Sequence, residues 1–234
     1  QQVLCVGTAW LGSRQPPLAY RTDGGPQPAA SVNYARAYRA SAWPTVEIVF
    51  AEILLGVWGA LGHAFAVPLW ATIVVTALFA AWLGVMGLRY GLALRRLGSE
   101  EEVERVRNEV IAELDATAPE AVVYMSADAG QSLYILNQWV PPIEALHQKS
   151  FIMVREASHL APIAPTSIPV VYAPGTRHVA ELIRPSTLVA YYLANAGKNV
   201  HLLREARIRH VFLNHGDSDK STSANPVSRV YDGV

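Results

Sequence analysis

The chain has 234 residues, and its 19 basic and 19 acidic side chains balance to zero. A neutral total excludes the broad positive field that nucleic acid demands, so no nucleic-acid partner is expected. The single cysteine, Cys5, excludes an internal disulfide and a cysteine-rich metal site.

Residues 1–45, rich in Pro, Gly and Ala, read as a loosely ordered cytoplasmic arm. Charge then almost disappears: residues 46–88 carry only Glu47 and Glu52. Residues 46–65 and 67–88 are each about 20 residues long, enough to cross a hydrocarbon core of about 30 Å as helices. Pro68 sits at their junction, and together they predict a two-helix transmembrane hairpin over 46–88. A buried helical pair in a soluble protein is the alternative with the same composition. Arg36 and Arg39 precede the pair, Arg89, Arg95 and Arg96 follow it, and the connection has no Lys or Arg. The positive-inside rule then keeps both flanks in the cytoplasm. The expected location is the cell membrane, with an integral anchor and a cytoplasmic remainder. Glu52 inside the first span is protonated or faces another helix, because an ionised carboxylate there costs about 2.5–3.5 kcal/mol on insertion scales.

Residues 99–118 predict an amphipathic linker helix. Ser99 and Glu102 form a capping box, and Val103, Val106, Val110, Ile111 and Leu114 recur on one face. Pro119 ends it. Short apolar runs follow at 121–126, 150–156, 168–174, 188–195 and 209–216, separated by helix-compatible stretches. Continuous apolar strands alternating with helices predict an α/β domain over 120–234, built on a parallel sheet covered on both faces.

Ligands of such sheets collect beyond the carboxyl ends of the strands. The runs end in Ser126 with Asp128, in Pro174-Gly175-Thr176-Arg177-His178, in Asn195 with Gly197-Lys198-Asn199, and in His215-Gly216-Asp217. Parallel strands would bring these to one rim rich in cations and hydrogen-bond donors, as an anionic substrate requires. His215 is the candidate proton acceptor at neutral pH. Asp217 or Asp219 is placed to orient its imidazole; Asp217 is taken as the catalytic partner. Arg177, His178, Lys198, Asn199, Asp219 and Lys220 are the candidate substrate-binding residues. A strand-ending turn with an Asp cap is the structural alternative for His-Gly-Asp. The sequence contains no Gly-x-x-x-x-Gly-Lys-Ser/Thr loop, no Gly-x-Ser-x-Gly elbow and no His-Glu-x-x-His motif. Asp217-x-Asp219 lacks EF-hand spacing, and no metal ligands are assigned.

These pieces together resemble the CDP-glycerol glycerophosphotransferase family of teichoic-acid polymerases and primases, in its actinobacterial, membrane-anchored form. The matching segments are Ala173 to His178, Gly197-Lys198-Asn199, Asn214 to Lys220, and Asn225-Pro226 with Tyr231-Asp232, within residues 120–234. The resemblance implies that 120–234 is the Rossmann-like, acceptor-side N-terminal half of a two-domain GT-B fold. CDP-glycerol, the donor, would be bound by a C-terminal domain beyond Val234, and this stretch alone would be inactive. It implies His215 as general base, with glycerol phosphate passing to a hydroxyl of a lipid-linked or polymer acceptor and CMP released. Arg177, Lys198 and Lys220 are inferred here to neutralise phosphate charge. Family members generally carry Trp before His-Gly and Thr-Pro after it; this chain has Asn214 before and Asp217-Ser218 after. A nucleotide-sugar GT-B glycosyltransferase and a non-catalytic membrane scaffold are the competing readings.

Overall fold

The structure is a computed structural model that describes residues 15–42, 44–65, 67–127, 129–160, 163–213 and 229–233. Two compact units divide the chain. One contains Asn33–Val103; the other combines Gln15–Val32 with Glu104–Val234.

The first unit is helical. Most of α1 (Ala29–Ala42) leads into α2 (Pro44–Ala64) and α3 (Leu69–Leu97), and the last two pack against each other. Proline at the first position of α2 costs nothing, since that N–H has no partner inside a helix. Within α3, the 25 residues Leu69–Ala93 have a mean hydropathy of 2.1 and almost no buried surface, and this helix is long and apolar enough to cross a membrane. Large apolar side chains on it face outward, among them Leu69, Trp70 and Leu78. The expectation of two spans is met only in part: among the described residues the apolar stretch of α2 is the shorter Val49–Ala64.

The second unit is α/β, as expected. Its six strands are β1 (Leu18–Tyr20), β2 (Ala121–Met125), β3 (Ser150–Val154), β4 (Val170–Tyr172), β5 (Val189–Tyr192) and β6 (Arg209–Phe212). They lie in the order β1-β4-β3-β2-β5-β6, all parallel except β1, which pairs antiparallel with β4. Helices are α4 (Glu100–Thr117), α5 (Ala129–Ala145), α6 (Thr176–Glu181) and α7 (Val200–Leu203). Side chains alternate across each strand. Val122 and Tyr124 therefore enter one core with Val110 and Leu114 of α4 and Val179 of α6. Val123 and Met125 enter the other, against Ile135, Leu136, Val140 and Ile143 of α5. Each such buried side chain contributes about 1.5–3 kcal/mol.

Two expectations change. The arm over 1–45 contains ordered elements: β1 extends the sheet, and the start of α1 is held by Glu109 of α4. That carboxylate accepts from Ala30 N, Ser31 N and Ser31 Oγ at 2.9, 2.9 and 2.8 Å. A three-residue strand among prolines has no readable period, which is why the sequence hid it. The helix expected as a linker over 99–118 is instead a layer of this unit from Glu104 onward, since its apolar stripe (Val106, Val110, Leu114) is fully buried. The predicted Ser99 cap forms weakly, with Glu102 N donating to Ser99 Oγ at 3.4 Å.

Candidate functional site at the carboxyl edge of the sheet

Because β2 to β6 run parallel, their carboxyl ends share one edge, and the strand order reverses between β2 and β5. Such a reversal is where open α/β sheets part to admit ligands. The edge gathers Ser126 after β2, Arg155 after β3, Pro174 and Gly175 after β4, Asn195 to Asn199 after β5, and Leu213 after β6.

Asn199 lies at the reversal, buried, with every contact internal. It accepts from Ser126 Oγ at 2.5 Å and donates from Nδ2 to Ala194 O at 2.7 Å and Tyr231 Oη at 2.8 Å. This ties the loops after β2 and β5 to the segment 229–233, which runs beside β6 through Phe212 N to Gly233 O at 2.9 Å. Tyr231 stacks on Phe212 with ring centroids 5.3 Å apart, and Tyr192 packs on both Tyr124 and Tyr231. Burial holds the phenols of Tyr124, Tyr192 and Tyr231 above their usual values, so they act as neutral hydroxyls. Tyr192 Oη pairs with His210 Nδ1 at 2.8 Å, while His210 Nε2 meets Glu205 O at 3.2 Å. The carbonyl can only accept, so the proton of His210 sits on Nε2.

His178 is likewise turned inward. It is 2% exposed, with Nδ1 3.1 Å from Glu181 Oε2 and Nε2 accepting from Arg177 Nε at 3.1 Å. Burial pushes its pKa down, opposed by the Glu181 carboxylate. Gly175 makes room for it: a Cβ there would come within 3.0 Å of the imidazole Cδ2. Arg177 itself is exposed.

The structure thus gathers Arg177, His178, Lys198 and Asn199 at one edge but gives them different work. Asn199 and His178 are structural locks. Lys198 is exposed and pairs with Glu156 in the loop after β3. His215, Asp217, Asp219 and Lys220 lie outside the described residues; the strand that precedes them, β6, ends at this same edge. Among the described residues no cluster of His, Cys, Asp and Glu could hold a metal ion.

Sequence reading passed over Arg155, which follows the run Phe151-Ile152-Met153-Val154. Alternation from Phe151 and Met153 puts it on an inner face. Its guanidinium is buried, donating from Nη1 to Tyr124 Oη and from Nη2 to Pro174 O, both at 2.9 Å. Nη1 also lies 3.2 Å from His201 Nδ1. Comparison of the chain with family models, curated proteins and solved structures finds no match.

Proposed function

We propose that the protein is a membrane-anchored transferase of the glycerophosphotransferase type. It would move glycerol phosphate from CDP-glycerol to a hydroxyl of a lipid-linked or polymer acceptor in the synthesis of a teichoic-acid-like wall polymer. The observation that carries this reading is the common direction of β2, β4, β5 and β6, by which the segments holding Arg177 and Lys198 and the end of β6, the strand before His215 in sequence, share one edge. In the reaction, the acceptor oxygen attacks the β-phosphorus of CDP-glycerol and the bond from that phosphorus to the bridging oxygen breaks. CMP leaves with the bridging oxygen, and His215 takes the hydroxyl proton. Asp217 orients the imidazole, while Arg177, Lys198 and Lys220 offset phosphate charge; positioning and charge neutralisation are most of what phosphoryl transfer needs. The acceptor-side domain is read as a Rossmann-like half of a GT-B enzyme whose donor half is a further domain.

Anchoring through a hairpin has independent support. β1 lies before the apolar helices and β4 after them, yet the two are hydrogen-bonded. A chain held that way would enter and leave the apolar region on one side of a bilayer. If α3 crosses, α2 would bring the chain to the far side first, and the basic flanks favour the cytoplasm as the near side.

The test is turnover by the gene product in its own membrane, read as CMP released from CDP-glycerol with a lipid-linked acceptor. His215→Ala should lower the rate by about 100-fold or more, the usual contribution of a general base. Unchanged turnover in that variant removes His215 from the chemistry, and a wild type that leaves CDP-glycerol intact removes the reaction.

A further inference from the structure

Arg155 is a cation in the wrong place for a purely structural residue. It is 3% exposed, and among the described residues its hydrogen-bonding neighbours Tyr124 Oη, Pro174 O and His201 Nδ1 are neutral and Nε has no partner. Among the described residues no carboxylate pairs with it, although Glu156 is next in sequence; that side chain turns to Lys198 instead. Removing a guanidinium from water without a counter-charge is costly, and neutral acceptors recover only part of the loss. A buried charge of this kind marks a candidate site for an anionic ligand that supplies the missing charge.

The surroundings specify the ligand. Arg155 Nη1 can only donate, so His201 Nδ1 must accept and the ring proton must sit on Nε2. Half-buried His201 therefore has an N–H donor left to offer. Burial lowers its pKa, as do the charges of Arg155, Arg204 and Lys198, so at neutral pH the ring is an uncharged donor in a positive field. Lys198 adds an exposed ammonium on the loop after β5, where its own carbonyl is held by Tyr124 Oη at 3.0 Å. Among the described residues, Glu156 is the carboxylate paired with Lys198 while Arg155 has none, and that surplus of positive charge suits an anion.

We propose that Lys198 and His201 bind a phosphate group at this edge, with Arg155 as the positioning residue behind them. The anion takes hydrogen bonds from Lys198 Nζ and His201 Nε2, and it competes with Glu156 for the ammonium. Arg155 fixes the imidazole tautomer and supplies uncompensated positive charge from below. This site does not rest on the transfer reaction, because nucleotides, polyol phosphates and free phosphate all present the same group.

The experiment uses the full chain in detergent micelles, with inorganic phosphate as the probe and the imidazole 15N resonances of His201 as the readout. Phosphate should shift the Nε2 signal saturably below about 10 mM, the range of a weak but specific site. Lys198→Met should weaken binding by about tenfold, as expected for loss of one charge-assisted hydrogen bond. Glu156→Gln should tighten it severalfold, which a merely structural ion pair does not predict. Arg155→Met should weaken binding and mix the two His201 tautomers; if it does not fold, the two exchanges at positions 156 and 198 decide the matter alone. Repeating the titration with glycerol phosphate and with CDP separates a polyol ester from a nucleotide as the source. Saturable binding supports the site whatever the turnover test on the gene product in its own membrane returns, and that test alone decides the transferase reading. Absence of a saturable shift in the wild type, or equal affinity in Lys198→Met and Glu156→Gln, overturns the site.

Discussion

His178 and Arg155 are both basic, both buried and both at the carboxyl edge of one sheet, yet their surroundings treat them differently. Around His178 every polar atom is answered: Glu181 faces one ring nitrogen, Arg177 donates to the other, and burial favours the neutral ring. Around Arg155, among the described residues, the acceptors are neutral, one donor is idle and a permanent charge remains. Asn199 belongs with His178, since its amide is spent on Ser126, Ala194 and Tyr231. A polar cluster that satisfies itself builds the fold; one that is left with surplus charge is ready for something from outside.

That contrast can be attacked most forcefully at Asn199. Asn199→Ala strands Ser126 Oγ, Ala194 O and Tyr231 Oη in a buried space, and should cost about 3 kcal/mol of stability. Thermal or urea unfolding of the α/β unit measures it, and a loss well below about 1 kcal/mol would mean that water replaces the amide.

The open cluster predicts the next effect. Phosphate at ten times its Kd should stabilise the wild type by about 1.4 kcal/mol by mass action, and Lys198→Met much less. A Tm that ignores phosphate in both chains would put Arg155 back among the structural residues.

A smaller effect follows from His178. Its folded pKa lies below the unfolded value of about 6.5, so the unfolded chain binds more protons on acidification. Its contribution is fully present above that value and is lost as pH falls through it. Half-buried His201 acts in the same direction. Denaturation midpoints recorded from neutral to mildly acid pH should decline, and His178→Gln should flatten part of the decline.

The least effect is expected at Glu181, whose side chain is 41% exposed beside both His178 and Arg107. Glu181→Gln should cost under about 1 kcal/mol, as exposed pairs do. A larger loss would show that the imidazole depends on that carboxylate for its charge state.

How far the sequence announced all this depends on the length of each signal. Five apolar runs gave five parallel strands, most plainly β2 and β3, because a strand buried on both faces leaves an unbroken hydrophobic record. The apolar stripe of α4 is equally plain, but periodicity reports that a face is covered and not by what, so it does not tell a sheet layer from a linker. Polar residues were harder. Asn199 and His178 looked like ligand groups because they follow strands, and only tertiary contacts reveal that their hydrogen bonds are already used. Arg155 was hidden for the opposite reason: one charge at the end of an apolar run has no pattern to mark it. The His215 segment rests on sequence alone.

The pairing of β1 with β4 also sets a timetable. Roughly 150 residues separate the partners, and contacts so distant in sequence form late. On the ribosome, Leu18–Tyr20 emerges well before its partner strand and waits unpaired while the helices between them are made. Only when Val170–Tyr172 appears can the outermost position of the sheet be filled. A nascent chain arrested before that point would keep its amino-terminal segment open to proteases and chaperones, and release from arrest would close it.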